Sequence, residues 1–132
     1  MPRLKVFIRS PQQRHKLLRF TPVGRNKPIT RHAAVIIEAK YLESLRRGYE
    51  VTVGRTGDKE IDFVCDKRGE KLYVQVCYLL ASDETVNREF GAYDPIRDNF
   101  PKYVVSLDEF DMSRNGIKHR NIRDFLLAEE WN

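Results

Sequence analysis

The sequence predicts a single α/β domain with one mixed sheet, and three observations support that class. Apolar residues repeat at helical spacing over residues 33–47, and patterns typical of strands follow over residues 49–53, 60–66 and 71–79. Helix and strand patterns then alternate to the end of the chain. A length of 132 residues suits one domain with an ordinary core. The predicted order is helix, three strands, helix, strand, helix.

The first helix is predicted over residues 33–47. Lys40 is expected to lie away from its apolar stripe, and Gly48 is well placed to end the helix. The residues expected to face inward share helical spacing, and they are Ala34, Ile37, Tyr41 and Leu45. Before this helix, Leu4, Val6 and Ile8 indicate a short strand, and prolines then favour a loop up to residue 32.

The three strands after the helix are expected to form an antiparallel meander, because their connections are too short for crossovers. A turn is predicted from Gly54 to Asp58, and Gly69 centres the next turn. Residues two apart on a strand share a face. Ile61, Phe63 and Cys65 are therefore expected on the face opposite to that of Asp62 and Val64.

The C-terminal half supplies two more helices and one more strand. Ser82 or Asp83 is expected to cap a helix that ends at Gly91, and residues 103–107 read as a strand. Asn115 and Gly116 indicate a turn, and Asn121 is expected to cap the last helix. The residues expected to face inward on these two helices are Val86, Phe90, Ile122, Phe125 and Leu126.

Composition excludes several classes of protein. Two cysteines without a Cys/His cluster argue against a disulfide scaffold and against structural zinc. The longest apolar run, residues 76–81, is too short to cross a bilayer, and no signal-peptide pattern follows the first basic residues. The expectation is a reduced cytoplasmic protein with no membrane partner.

Charge is distributed unevenly along the chain. Residues 1–33 hold nine of the 24 lysines and arginines and no acid, whereas the remaining residues carry a net charge of −4. Such a basic segment can bind DNA through phosphate contacts, or it can be a solvated tail or a sequence foreign to the domain. If DNA binds here, the residues expected to contact it are Arg9, Arg14, Lys16, Arg19, Arg25, Lys27 and Arg31.

One constellation on the predicted hairpin carries a chemical hypothesis. Asp62 on the first strand can approach Gln75 and Cys77, which share a face of the second strand. Two carboxylates and a lysine at these positions would form a metal-dependent nuclease site, but an amide and a thiol stand in for one carboxylate and the lysine. His119 is expected at the surface, and no catalytic triad order is apparent.

At these residues the chain resembles the C-terminal domain of many prokaryotic AAA+-type ATPases. The resemblance covers residues 34–130, through the stretches YLESLRRGYEVTVGRTGDKEIDFV, KLYVQVCYLLASDETVNREFG and NFPKYVVSLDEFDMSRNGIKHRNIRDFLL. It implies a restriction-endonuclease-like fold with an α-β-β-β-α-β core. Many members carry Glu-Val-Lys where this chain has Gln75, Val76 and Cys77, so the resemblance implies a degenerate active site.

The chain departs from that family in two further ways. The position that often carries a glutamate on the first helix is Ile37 here, and Glu38 follows it, rotated by about a third of a turn. Residues 1–32 resemble nothing in the family. No phosphate-binding Gly-x-x-x-x-Gly-Lys-Ser/Thr motif occurs, so this sequence does not itself contain the ATPase part.

Three functions stay open on the sequence alone. The first is a catalytically inactive nuclease-like accessory domain with no cofactor, normally coupled to an ATPase, in a binding or regulatory role. The second is a Mg²⁺-dependent DNA endonuclease with a migrated site built from Glu38, Asp62 and Gln75, of which Asp62 and Gln75 would hold the metal. The third is a domain that binds only other proteins.

Overall fold

The structure is a computed structural model that describes residues 5–7, 31–56 and 59–132. It is one α/β domain built on a five-stranded mixed sheet that a sixth, short strand extends at one edge. The strands lie side by side in chain order. The elements are β1 Lys5–Phe7, α1 Arg31–Arg46, β2 Glu50–Thr56, β3 Lys59–Lys67, β4 Glu70–Val76, α2 Asp83–Gly91, β5 Lys102–Ser106, β6 Lys118–Asn121 and α3 Ile122–Leu127.

The pairing of neighbouring strands changes once across the sheet, from antiparallel to parallel. Strands β1 to β4 are antiparallel neighbours, and β5 and β6 run parallel to β4. The short turns between β2, β3 and β4 permit only antiparallel pairing, whereas α2 provides the crossover that a parallel β5 requires. The predicted meander is therefore confirmed, and the elements from α1 to β5 follow the predicted α-β-β-β-α-β order.

Two apolar layers cover the sheet, one on each face. The α1-side cluster contains Ile36, Ile37, Tyr41, Val51, Phe63, Cys65, Leu72, Val74, Val76, Tyr103, Val105, Ile122, Phe125 and Trp131. The α2-side cluster contains Ile61, Val64, Tyr73, Cys77, Leu80, Val86, Phe90, Ala92, Tyr93, Val104 and Ile117. The central strands are buried on both faces, as strands in a covered mixed sheet must be. The two cysteines lie in different layers, as predicted.

The predicted boundaries and caps are mostly right. Gly48 has a φ of 89°, and the bonds from Gly48 N to Leu45 O and from Tyr49 N to Ser44 O close α1 in a Schellman motif. Ser82 caps α2 and Asn121 caps α3 through their side-chain oxygens. Strand β2 runs to Thr56, through the residues 54–56 where a turn was predicted. The four-residue strand β6 was not predicted.

The inward face of α1 differs from the prediction. Ile37 and Tyr41 are buried as expected, but Leu45 is exposed and Lys40 is completely buried together with Ser44. An α-helix advances 100° per residue, so Ser44 aligns with Ile37 better than Leu45 does. The prediction that Lys40 lies away from the core is therefore wrong.

A β-bulge interrupts the pairing of β3 with β2. Thr52 pairs with Val64 and Gly54 pairs with Ile61, so one residue of β2 between these pairs lies opposite two residues of β3. The extra residue falls at Asp62 and Phe63. Ile61 consequently packs in the α2-side cluster rather than beside Phe63 and Cys65, which corrects the simple alternation predicted for this strand.

The C-terminal residues fold back onto α1. Trp131 stacks on Phe125 with a centroid separation of 4.5 Å, and its indole N–H donates to Phe125 O at 2.7 Å. The Arg47 guanidinium lies 3.9 Å from the Trp131 ring centroid and donates to Ala128 O at 2.5 Å. Within the described ranges, no helix has the length and apolarity that crossing a membrane requires.

Candidate functional site

The candidate site lies at the end of the β3–β4 hairpin that is remote from its turn. The two strands pair regularly from Lys67 and Glu70 at the turn to Phe63 and Val74. Beyond that pair the bulge shifts the backbone of β3, and side chains make the bonds between the strands. The next residue on each strand is one that sequence reasoning singled out, Asp62 on β3 and Gln75 on β4.

Three hydrogen bonds define this end of the hairpin. The Val76 N–H donates to Asp62 Oδ2 at 2.8 Å, and the Asp62 N–H donates to Gln75 Oε1 at 2.5 Å. The Gln75 amide nitrogen donates to Glu60 O at 3.3 Å. The Asp62 carboxylate and the Gln75 amide oxygen thus accept two backbone N–H groups next to the bulge, and the Gln75 amide nitrogen donates to a backbone carbonyl.

Burial removes these side chains from water. Asp62 is 1% exposed, Gln75 is 5% exposed and Cys77 is 4% exposed. Gln75 and Cys77 follow Tyr73 on one face of the sheet, as predicted, and Cys77 packs in the α2-side cluster. The Cys77 N–H continues the parallel pairing with β5 by donating to Val105 O at 3.0 Å. Cys77 therefore contributes a small packed side chain to this layer.

The structure does not bring Glu38 into this site. Glu38 is exposed on the outer side of α1, and its neighbour Ile37 is buried against the sheet. The predicted group therefore divides into three buried residues on the hairpin and one solvated residue on the helix.

Lys40 is a buried cation near the site that sequence reasoning missed. It extends from α1 into the α1-side layer, where its Nζ donates to Cys65 Sγ at 2.8 Å and lies 4.4 Å from the Phe63 ring centroid. Burial lowers the pKa of Lys40, and the Cys65 and Asp62 side chains offset part of that effect. The sequence signal for its burial was helical spacing, since Lys40 lies three residues after Ile37 and four before Ser44 and so shares their face of α1.

On the other face, α2 contributes a second buried carboxylate. Glu89 is 1% exposed, and its position three residues after the inward-facing Val86 was the available signal. Tyr93 lies nearby and donates its hydroxyl to Tyr103 O at 2.6 Å. Burial first, and then the charges of Asp62 and Glu89, raise the pKa of Tyr93 well above its usual value. The hairpin end therefore has acidic groups on β3 and on α2.

A buried polar network lies between β5 and β6, where His119 was expected at the surface. His119 is 1% exposed, and its Nε2 lies 2.8 Å from Ser106 Oγ. The Met112 N–H donates to His119 Nδ1, so in the neutral ring the proton is on Nε2, which donates to the serine. Ser106 in turn donates to Asp108 Oδ2 at 2.7 Å. This polarity is opposite to that of a Ser-His-Asp triad, since no histidine nitrogen is left to accept the serine proton.

The basic residues proposed for DNA binding lie almost entirely outside the described residues. Arg9, Arg14, Lys16, Arg19, Arg25 and Lys27 are outside them, and Arg31 is the first residue of α1. The DNA-binding role of this segment stays a prediction.

Comparisons with known proteins give one similarity. Over 88 residues the chain is 35% identical to an uncharacterized protein of Haemophilus influenzae (strain KW20 / Rd). The match covers 66% of this chain and 21% of the relative, so it spans about a fifth of the relative's length. No family model matches the chain, and no solved structure matches it.

Proposed function

We propose that this chain is a catalytically inactive, restriction-endonuclease-like domain that serves a binding or regulatory role beside an ATPase. The observation that carries the proposal is the use of Asp62 and Gln75 as backbone partners. Where the resemblance implies a nuclease active site, both side chains hold the two strands of the hairpin together. The α-β-β-β-α-β order of the elements supports the fold type.

The donor set does not suit a nuclease metal. Mg²⁺ requires near-octahedral coordination by oxygen, mostly from carboxylates and water. Here Asp62 Oδ2 and Gln75 Oε1 each already accept a backbone N–H, and both residues are buried. In the described part of the chain, no three His, Cys, Asp or Glu residues are grouped so that they could hold a metal. Glu38, the remaining member of the migrated site, is exposed on α1.

The coupling to a larger protein has separate support. The Haemophilus influenzae relative matches this chain over about a fifth of its own length, so a related segment occurs within a longer protein. The ATPase as the specific partner comes from the resemblance of residues 34–130 to the C-terminal domains of AAA+-type ATPases. A domain without chemistry of its own would act there by contact, with DNA or with another part of the assembly.

A cleavage assay tests the inactivity. We expect no cutting of plasmid or single-stranded DNA by the purified chain with Mg²⁺ or Mn²⁺, because the second carboxylate and the lysine are both replaced. Metal-dependent cutting that disappears in Asp62→Ala would overturn the proposal in favour of a working nuclease.

A gain-of-site variant sharpens that test. In Gln75→Glu combined with Cys77→Lys, we expect measurable Mn²⁺ binding by calorimetry without efficient cleavage, because Glu38 still points to solvent. Cys77→Lys alone is the matched control, and it should bind no metal.

A binding assay separates the two non-catalytic roles. DNA affinity measured between 50 and 200 mM salt should fall steeply if basic residues contact phosphates. Neutralising Arg14, Lys16 and Arg19 together should weaken that binding and reduce its salt dependence. Absence of DNA binding at low salt would instead favour a domain that contacts only proteins.

A further inference from the structure

Lys40 and Cys65 form an unusual pair in the α1-side layer. Both are 0% exposed, and Lys40 Nζ lies 2.8 Å from Cys65 Sγ, closer than the sum of the van der Waals radii of nitrogen and sulfur. Ser44 Oγ is 3.9 Å from the same sulfur, and the Phe63 ring lies against the lysine nitrogen. The contact joins α1 directly to β3, across 25 positions in the sequence.

The chemistry of this contact follows from its burial. A sulfur atom is a weak hydrogen-bond acceptor, so it compensates poorly for the water that an ammonium group loses. Transfer of the proton between the two groups gives either an ammonium with a thiolate or an amine with a thiol. The thiolate is the form that reacts with oxidants, and the uncharged amine is the form that attacks an electrophile.

We propose that hydrogen peroxide converts this pair into a covalent sulfenamide that links Lys40 to Cys65. In the first step the sulfur attacks one peroxide oxygen, a sulfur–oxygen bond forms, the oxygen–oxygen bond breaks, and one water leaves. Sulfur is oxidised by two electrons, peroxide is reduced, and Cys65 becomes a sulfenic acid. In the second step the Lys40 nitrogen attacks that sulfur, the sulfur–oxygen bond breaks, and a second water carries away the amine proton.

Position favours the second step over the competing reactions. The amine is already in contact with the sulfur, so the condensation is intramolecular and needs no rearrangement of the helix. Burial excludes bulky thiols from the sulfenic acid while a small peroxide reaches it through local opening. The other cysteine, Cys77, packs on the opposite face of the sheet and gives an internal comparison. The product fastens α1 to the sheet and makes the domain a sensor of peroxide.

Mass spectrometry of the full chain tests the link. After peroxide treatment the intact protein should lose two hydrogen atoms, about 2 Da, and recover them when dithiothreitol is added to the unfolded chain. Trypsin should release residues 32–46, uncut at Lys40, joined to residues 60–67. The Tm of the treated protein should rise by several degrees, because the link restricts the unfolded chain.

Matched variants decide the assignment. Cys77→Ala should keep the link, whereas Lys40→Met and Cys65→Ala should abolish it. In Lys40→Met, Cys65 should instead accumulate as a sulfenic acid that dimedone traps. The proposal is overturned if Cys65 of the natural chain gives only the dimedone adduct, if it stays a thiol while Lys40→Met oxidises, or if the joined peptides contain Cys77.

Discussion

Two positions on β3, three residues apart, handle buried polar groups in opposite ways. At Asp62 the carboxylate meets a backbone N–H, and the Gln75 amide matches one acceptor and one donor of the facing strand. At Cys65 a lysine nitrogen meets a thiol and the face of an aromatic ring. Both sites are closed to water. Only at Asp62 and Gln75 does each buried donor or acceptor have a hydrogen-bond partner of matching type and strength.

The difference separates two consequences of burial. Matched partners make a polar group part of the framework, so its removal exposes an unpaired backbone group and costs stability. A mismatched partner leaves the buried charge poorly compensated, so its removal can stabilise the fold. The mismatched pair also keeps reactivity that the matched pair lacks. Four predictions test this contrast, from the largest expected effect to the smallest.

The largest effect is expected at Asp62. In Asp62→Ala the Val76 N–H loses its acceptor inside the sheet, which should lower the free energy of unfolding by roughly 2–3 kcal/mol. Urea denaturation followed by circular dichroism measures the loss. Asp62→Asn keeps an acceptor oxygen and should retain most of the stability. Equal losses in the two variants would show that the negative charge, rather than the acceptor, is what the hairpin needs.

At Gln75 the charge can be changed while the shape is kept. Gln75→Glu retains an acceptor for the Asp62 N–H, but it places a carboxylate against Glu60 O and near a second carboxylate, so we expect a loss of about 1–2 kcal/mol at pH 7. The crowded carboxyl should have a raised pKa in the folded state. The loss should therefore shrink as pH falls below 5, and an unfolding series from pH 4 to pH 8 would show this. A pH-independent loss would contradict it.

At Lys40 we expect substitution to raise the free energy of unfolding rather than lower it. Lys40→Met keeps the length of the side chain and removes a poorly compensated charge, so we expect a gain of about 1–2 kcal/mol in the free energy of unfolding. The folded-state pKa of Lys40 lies below its usual value of 10.5, so the unfolded chain binds more protons over that window. The natural protein should gain stability as pH rises through it, and Lys40→Met should lack that gain. A destabilised variant would mean that the Cys65 contact compensates the charge fully.

The sequence predicted the matched site better than the mismatched one, for physical reasons. Gly69 and the period of two determine which residues of β3 and β4 face each other, so Asp62 and Gln75 could be paired in advance. The bulge could not be predicted, because the apolar pattern of β3 is compatible with pairing to β2 both with and without an extra residue. Lys40 was missed because the apolar Leu45 was counted in the inward stripe, whereas the helix buries Lys40 and Ser44 and exposes Leu45. His119 was expected at the surface for a related reason: its four-residue strand contains only polar residues, so no apolar pattern indicated its burial.

The smallest effect concerns His119, which combines features of both sites. Its ring nitrogens have good partners, Ser106 and the Met112 N–H, but those bonds are to a neutral ring. Burial lowers the pKa of His119, and the neighbouring charges of Asp108, Asp111 and Arg120 modify it only secondarily. Because the unfolded chain takes up a proton first, stability should fall as pH drops from 6.5 toward the folded-state pKa.

That loss cannot exceed about 1.4 kcal/mol for each pH unit of the window, since one proton is involved. Urea denaturation at half-unit steps from pH 7.5 to pH 5 measures the slope. His119→Gln should lower the free energy of unfolding at every pH and flatten the slope over this range. A slope that survives in His119→Gln would assign the acid sensitivity to groups other than this ring. A lost slope would show that a well-bonded buried ring still costs stability once acid gives it a charge.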